Sequence, residues 1–371
     1  VPDFTSALYL GLRHPSRSLR PWPALSAGRP AALAEPPGAA GTARALARLQ
    51  GFAAATLAPS TLHLFWDLFP FVMANGPAAI HIDAAAYPIS GWGIERAAGR
   101  GVPVHRFPHH DPVRLERGAE PEARRGLRPI VVTDGLCPGC GRVAPLDRYL
   151  QVARRLGGLV VVDDTQALGV LGAEPGPDVP YGRGGGGSAR WHGISAPELI
   201  VVASLAKGFG VPLAGLSGPA ALVRRFEDAS ETRAHCSPPS VAALHAAEHA
   251  LACNARHGDE LRLVLARLVR HFRRCLADAG LGVSGGLAPV QTLGPVPGLP
   301  ARALHDRLAA QGVQAVLYRP HGVGGPRVGF ILTARHTRAD VDAVTEALRA
   351  ALTTPARNVP ERNPGGMPCP A

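Results

Sequence analysis

The sequence predicts an α/β protein built on a mainly parallel sheet covered on both faces by helices. Short runs of strand length, such as Gly158-Leu-Val-Val-Val-Asp-Asp164 and Leu199-Ile-Val-Val-Ala-Ser204, are apolar without alternation, as strands buried on both faces must be. They are separated by segments of helical spacing, the pattern of β-α-β units. A third observation places a site. Strand runs end at Asp134, Asp163 and Ser204, and open parallel sheets bind ligands beyond the carboxyl ends of their strands.

Taken in order, residues 1–45 are rich in Pro, Gly and Arg with little periodicity, and read as an arm lying on the body of the protein or on a partner subunit. Helical spacing begins at Ala43–Gly51. Pro59-Ser60-Thr61 then starts a helix whose apolar residues run from Leu62 to Met73. Strands are expected at Ala78–Asp83, Val104–Phe107 and Pro129–Asp134, and helices near 88–100 and 145–156. After Pro238-Pro239 the pattern is helical through about residue 280, long enough to link two domains. A strand, helix, strand, strand, helix series follows at Pro289–Leu293, Ala301–Gln311, Gln314–Tyr318, Arg327–Thr333 and Arg338–Leu352. The expected organisation is therefore an arm (1–45), a large domain (46–255), a small C-terminal α/β domain (256–353) and a disordered tail (354–371).

Composition narrows the function classes. With 46% hydrophobic and 18% charged residues the chain is globular. The net charge of +11 invites a nucleic-acid partner, but the arginines are scattered over helical faces and aromatics make up only 5%, so they read as solvated surface. No run of apolar residues is long enough to span a bilayer, and the first residues lack a leader pattern, so a cytoplasmic protein with no membrane partner is expected. The six cysteines form no disulfide framework. Cys137-Pro-Gly-Cys140 has the spacing of a zinc or redox half-site. No second such pair completes four ligands, so it reads as a turn and no metal is expected. The run Gly184–Gly187 is not a Gly-x-x-x-x-Gly-Lys loop and reads as a flap or simple loop.

Lys207 is the only lysine among the 39 Lys and Arg residues. A guanidinium stays protonated and cannot act as a nucleophilic amine, so a chain otherwise committed to arginine keeps one amine here, in a small-residue loop after a buried strand. Asp163 ends the neighbouring strand run. A lysine that forms a Schiff base with pyridoxal phosphate requires a carboxylate opposite it, to keep the pyridine nitrogen protonated and the ring an electron sink.

The stretch Val161-Val-Asp-Asp-Thr-Gln-Ala-Leu-Gly-Val-Leu-Gly172, followed by Ser204-Leu-Ala-Lys-Gly-Phe-Gly210, resembles the fold-type I pyridoxal-phosphate enzymes. Within them it is most similar to the α-oxoamine synthases and the related class I/II aminotransferases, over most of residues 40–352. The resemblance implies pyridoxal 5'-phosphate as cofactor and a homodimer. It makes Lys207 the Schiff-base lysine, Asp163 the pyridinium partner, Ser204 a phosphate ligand and Arg327 the grip on a substrate carboxylate. Asp164 falls to a structural role, because neighbouring strand residues point to opposite faces.

Departures from the family pattern are equally specific. Gln166 stands where a histidine usually contacts the phenolic oxygen, and Tyr87, four residues after Asp83, where the synthases stack a histidine on the ring. Pro138 replaces a serine. Ala58–Phe69 replaces a Gly-containing phosphate loop, leaving Ser60 and Thr61 to bind phosphate through hydroxyls and helix N-terminal amides. Asp134 joins the site as a further cofactor neighbour. His63, His235, Cys236 and Ser237 are further candidates, the last three in a segment that resembles the family's dimer-crossing strand. These departures incline the reading toward amino transfer on a small amino compound. The alternatives are decarboxylative condensation of an amino acid with an acyl thioester, and a non-catalytic dimer that acts by binding.

Overall fold

The computed structural model of the chain describes residues 2–319 and 325–353. Seven strands form the large sheet: β1 (Ala54–Ala58), β2 (Ala78–Asp83), β3 (Val104–Phe107), β4 (Arg128–Asp134), β5 (Leu159–Asp163), β6 (Leu199–Ser204) and β7 (Ala214–Gly218), in the order β1-β7-β6-β5-β4-β2-β3. All neighbouring pairs are parallel except those made by β7, which runs against both β6 and β1.

The uninterrupted apolar runs follow from burial on both faces. Ile130, Val132 and Val161 pack on one side with Leu64, Phe65, Leu68 and Phe69 of the helix Thr61–Met73. Val131, Val160 and Val162 face the other way, against Leu146, Tyr149 and Leu150 from the helix Leu146–Arg155. Successive side chains alternate between faces, so both sets must be apolar.

A second antiparallel sheet is formed by β8 (Val283–Ser284), β9 (Val290–Leu293), β10 (Val316–Tyr318) and β11 (Arg327–Ile331), in the order β10-β11-β9-β8. The 38-residue helix Val241–Asp278 serves both bodies. Its first half packs Leu244, Ala247 and Ala250 against Leu46 and Leu205. Its second half packs Leu265, Val269 and Phe272 against Phe330 and Val344 of the small body. No break occurs at residues 255–256.

The arm lies on the body of the same chain. Asp3 bridges Gln314, the Phe4 carbonyl accepts the Ile331 N–H at 2.8 Å, and the Tyr9 carbonyl accepts the Ala334 N–H at 2.8 Å. Phe4, Tyr9 and Leu10 are buried at 0–1% exposure, so this segment is a core element despite its loop-like composition.

Several elements have no counterpart in the sequence reading, among them β1, β7 and the helices Pro112–Arg124 and Ala220–Ala229. β1 (Ala-Ala-Thr-Leu-Ala) and β7 (Ala-Gly-Leu-Ser-Gly) hold one β-branched residue, Thr56, and no aromatic between them, and are held by pairing to each other. Pro112–Arg124 is polar with an internal Pro121, and its Asp111 cap, which accepts the Arg114 N–H at 2.9 Å, is its clearest local signal. The glycine run 184–187 is packed in place. The Gly184 N–H donates to Asp259 Oδ1 at 2.9 Å, its carbonyl accepts from Asn254, and Gly185 to Gly187 are buried. None of the described helices is long and apolar enough to cross a membrane. The expected tail, 354–371, lies outside the described residues.

Candidate active site

The carboxyl ends of β4, β5 and β6 open onto a cavity of about 180 Å³ lined by Thr61, Tyr87, Ile89, Asp134, Asp163, Thr165, Gln166, Ser204 and Lys207. Asp134 and Asp163 are register partners on adjacent parallel strands, so their side chains emerge on the same face. Asp163 Oδ1 accepts the Thr165 N–H at 3.0 Å, and the Thr165 hydroxyl in turn accepts the Ser204 N–H at 3.0 Å, tying β6 to the end of β5. The Asp134 carboxylate accepts the Tyr87 N–H at 3.1 and 3.2 Å, which fixes the position from which Tyr87 lays its ring 5.4 Å from Lys207 Nζ.

Burial decides the charge states. Asp163 and Asp134 are 4% and 5% exposed. Desolvation raises both carboxyls above their usual range, and the charge of Asp163 raises Asp134 further. Lys207 is drawn below its usual 10.5 by desolvation, against the opposing pull of Asp163 and then Asp134. The amine is thus easier to neutralise than a surface lysine, as a proton acceptor requires.

Gln166, 8% exposed, is braced from behind: its Oε1 accepts the hydroxyl of Tyr9 from the arm. The amide nitrogen is then the half of the side chain left to donate into the cavity. Tyr9, Thr165 and Ile89 were absent from the sequence-level site. Thr165 sits within the motif Asp-Asp-Thr-Gln and could have been drawn from it, whereas Tyr9 carries no local signal. A Tyr9→Phe variant, which frees Gln166 Oε1 while keeping the ring packed, is expected to weaken cofactor retention about fivefold, the worth of one buried hydrogen bond. Dialysis against known cofactor concentrations measures this; unchanged retention would show that the brace is idle.

Asp164 points to the opposite face, as expected. It is fully buried, and its two oxygens accept the Ser188 N–H at 3.2 and 2.9 Å. Gly187 must lack a side chain here, since φ is +93° and a Cβ would stand 1.9 Å from Asp164 Oδ2. Desolvation raises the Asp164 carboxyl from 3.8 to about 6. Because the folded state binds this proton more tightly than the unfolded chain, the contribution to stability is largest below about pH 4, falls as pH rises to 6 and is flat above. Urea unfolding of the protein and of Asp164→Asn should diverge across that window by about 3 kcal/mol. Parallel curves would count against it.

The other sequence candidates divide. Ser60 caps the helix Thr61–Met73 by position but makes no side-chain cap bond; its hydroxyl pairs with His63 Nδ1 at 2.9 Å. Neither Ser60 nor His63 lines the cavity, and neither do His235, Cys236 or Ser237. Arg327 is not brought to the site: it starts β11 and lines a separate cavity of about 310 Å³ with Pro295, Leu299 and Val328. Pro138 sits in the turn after β4 and does not reach the cavity either.

The donor set fits pyridoxal phosphate. Two buried carboxyl groups face one amine, and a protonated ring nitrogen seated there would favour the charged form of Asp163. The uncapped N-terminus of the helix Thr61–Met73 leaves amide donors beside Thr61, suited with Ser204 to a phosphate. Asp163, Asp134, Gln166, Ser204, Thr61 and Lys207 are the residues that would hold it.

Comparison with known proteins agrees. Residues 31–348 match the family model described as aminotransferase class I and II. The 8-amino-7-oxononanoate synthase of Cupriavidus taiwanensis is 33% identical over 258 residues, covering 67% of this chain and 60% of that protein. The synthase of the same name from Halorhodospira halophila is 33% identical over 265 residues, covering 70% and 61%. The chain thus spans about three fifths of the length of the curated relatives it matches. Among solved structures, a serine palmitoyltransferase from S. paucimobilis superposes with a TM-score of 0.79 at 17% identity, over 93% of this chain and 86% of that one. The 8-amino-7-oxononanoate synthase of Francisella tularensis gives 0.71 at 16%, over 94% and 97%. On its motifs, its sheet order and these matches, the chain belongs to the aminotransferase class I and II family, among the fold-type I, pyridoxal-phosphate-dependent enzymes related to the α-oxoamine synthases.

Proposed function

We propose that the protein is a pyridoxal-phosphate-dependent transferase that condenses an amino acid with an acyl thioester, with loss of carbon dioxide. The observation that carries this is the half-buried Lys207 set with Asp163 and Asp134 at the strand ends beneath Tyr87. The reaction type is supported by relatives named 8-amino-7-oxononanoate synthase and by the likeness to serine palmitoyltransferase. The inclination of the sequence toward amino transfer rests on Tyr87, Gln166 and Pro138, and the relatives named above do not favour it. Two of those substitutions leave the local roles filled, since Tyr87 still lies over the amine and Gln166 is braced to donate.

Bound pyridoxal phosphate supplies an electron-withdrawing ring that makes negative charge at the substrate α-carbon tolerable. Asp163 would hold a proton at the ring nitrogen, and Gln166 would donate to the phenolic oxygen. Lys207 Nζ takes the proton from the α-carbon and returns one after condensation. Asp134, through the Tyr87 N–H, keeps the aromatic ring over the reacting centre. In sum, a bond forms between the α-carbon and the acyl carbon, the thiol leaves, and the carboxylate departs as carbon dioxide. The same reading includes a homodimer, small-molecule substrates, a cytoplasmic setting, and the division into a large (46–255) and a small (256–353) domain.

The holoprotein should be supplied with amino acids and acyl thioesters in pairs, following thiol and carbon dioxide by mass spectrometry. Release that requires both substrates is expected. Amino exchange with a 2-oxo acid and no thiol release would overturn condensation in favour of transfer.

A further inference from the structure

The turn Cys137–Cys140 is not alone in space. Two histidines from the segment after β3, His109 and His110, come to it, and the ligand atoms of His109, His110 and Cys140 all lie within 4.8 Å of one another. His109 Nε2 stands 3.3 Å from Cys140 Sγ. Its other nitrogen, Nδ1, is held by Asp83 Oδ1 at 2.8 Å. A carboxylate on one ring nitrogen that leaves the other free toward a thiol is how metal-bound histidines are oriented.

His110 completes the geometry at a cost. Its φ is +57°, a left-handed conformation that a non-glycine residue adopts only under constraint, and its N–H donates to Asp83 Oδ2 at 3.0 Å. Its Nε2 is buried and has no hydrogen-bond partner. Asp83 therefore holds the His109 ring and the His110 backbone, and His110 Nε2 is left without a hydrogen-bond partner. On the opposite side, the Cys140 N–H points at Cys137 Sγ at 3.5 Å, and the Gly141 N–H closes the turn on the Cys137 carbonyl at 2.8 Å. Gly141 has φ +71°, and a Cβ there would meet the Gly285 carbonyl at 1.7 Å, so the turn is tied to the small body as well. Both cysteines are free thiols.

We propose that His109, His110 and Cys140, whose ligand atoms already converge, form a structural zinc site that Cys137, in the same turn, completes as fourth ligand. Two thiolates and two imidazoles are the set that selects zinc in a closed tetrahedron. Bond lengths of about 2.3 Å to sulfur and 2.0 Å to nitrogen give N···S edges of roughly 3.5 Å, close to the His109–Cys140 separation. The ion takes up the two imidazoles and the two thiolates, and Asp83 serves as the outer partner of the His109 ring. The Cys-x-x-Cys spacing alone does not point to such a site, because its second half is a His-His pair almost thirty residues upstream, not another Cys-x-x-Cys. The site would clip the segment after β3 to the loop leaving β4, so the ion supports Asp134, and through it Tyr87, without touching the cofactor cavity.

The test is independent of cofactor and of activity. The full chain, produced with zinc supplied and passed through gel filtration with a mild chelator, should retain about one zinc per chain by mass spectrometry. Cys137 and Cys140 should resist alkylation in the folded protein until a strong chelator is added, while Cys253 reacts throughout. Cys140→Ser and His110→Ala should each lose the metal. Cys275→Ser, which alters the separate group His271, Cys275 and Asp342, should keep it. Zinc-free protein with both thiols reacting like Cys253, a Cys137–Cys140 disulfide in the purified protein, or zinc lost only in Cys275→Ser would each overturn the proposal. The zinc content and alkylation of the unaltered protein decide the matter even where a variant does not fold.

Discussion

Lys207→Ala is expected to yield a folded protein that has lost the visible absorbance of the bound cofactor and about 10²–10⁴-fold or more of its turnover, the range for removing a positioned proton-transfer group. The chain offers no second amine, since every other strong base is arginine. Lys207→Arg is the sharper variant. It keeps a cation near Asp163 and Asp134 but stays protonated, so it should rescue neither absorbance nor turnover. Substantial activity in Lys207→Arg would reduce the lysine to a counter-charge.

Asp163→Asn should lower turnover about 10²–10³-fold, because the site loses the anion that keeps a proton on the ring nitrogen. A second effect has a definite sign. Asp163 is the strongest attraction opposing the desolvation of Lys207, so its removal lowers the Lys207 pKa further. The acid limb of the pH–rate profile should move to lower pH even as the maximum falls. A profile that drops without shifting would mean that Asp163 and Lys207 do not interact electrostatically in the working enzyme.

The sheet and the central pair were legible in the sequence for a common reason. Buried parallel strands announce themselves by unbroken apolar runs, and the polar residue that ends each run marks the ligand face, as with Val160-Val-Val-Asp163. Legibility ended where stability comes from long-range contact. β7, with two glycines in five residues, is a strand because β1 and β6 pair with it. Tyr9 is a site residue because the arm happens to end against Gln166. Arg327 takes its expected role from the resemblance alone, and His336, nine residues on, serves the arm, its Nε2 lying 2.9 Å from the Asp3 carbonyl. Residue spacing along β11 could not show which cavity the arginine would line.

The docking of residues 3–10 also bears on the order in which the chain matures. Phe4 leaves the ribosome first among the described core residues, yet its ring packs against Phe272, Phe330 and His336. At ordinary elongation rates this leaves a large apolar side chain without its native partners for on the order of tens of seconds, long enough for a chaperone or a second nascent chain to engage it. The brace on Gln166 needs only residues 9 and 166 and the cavity only residues 61–207, so the cofactor pocket can be complete while the first residues of the arm still wait for their cover.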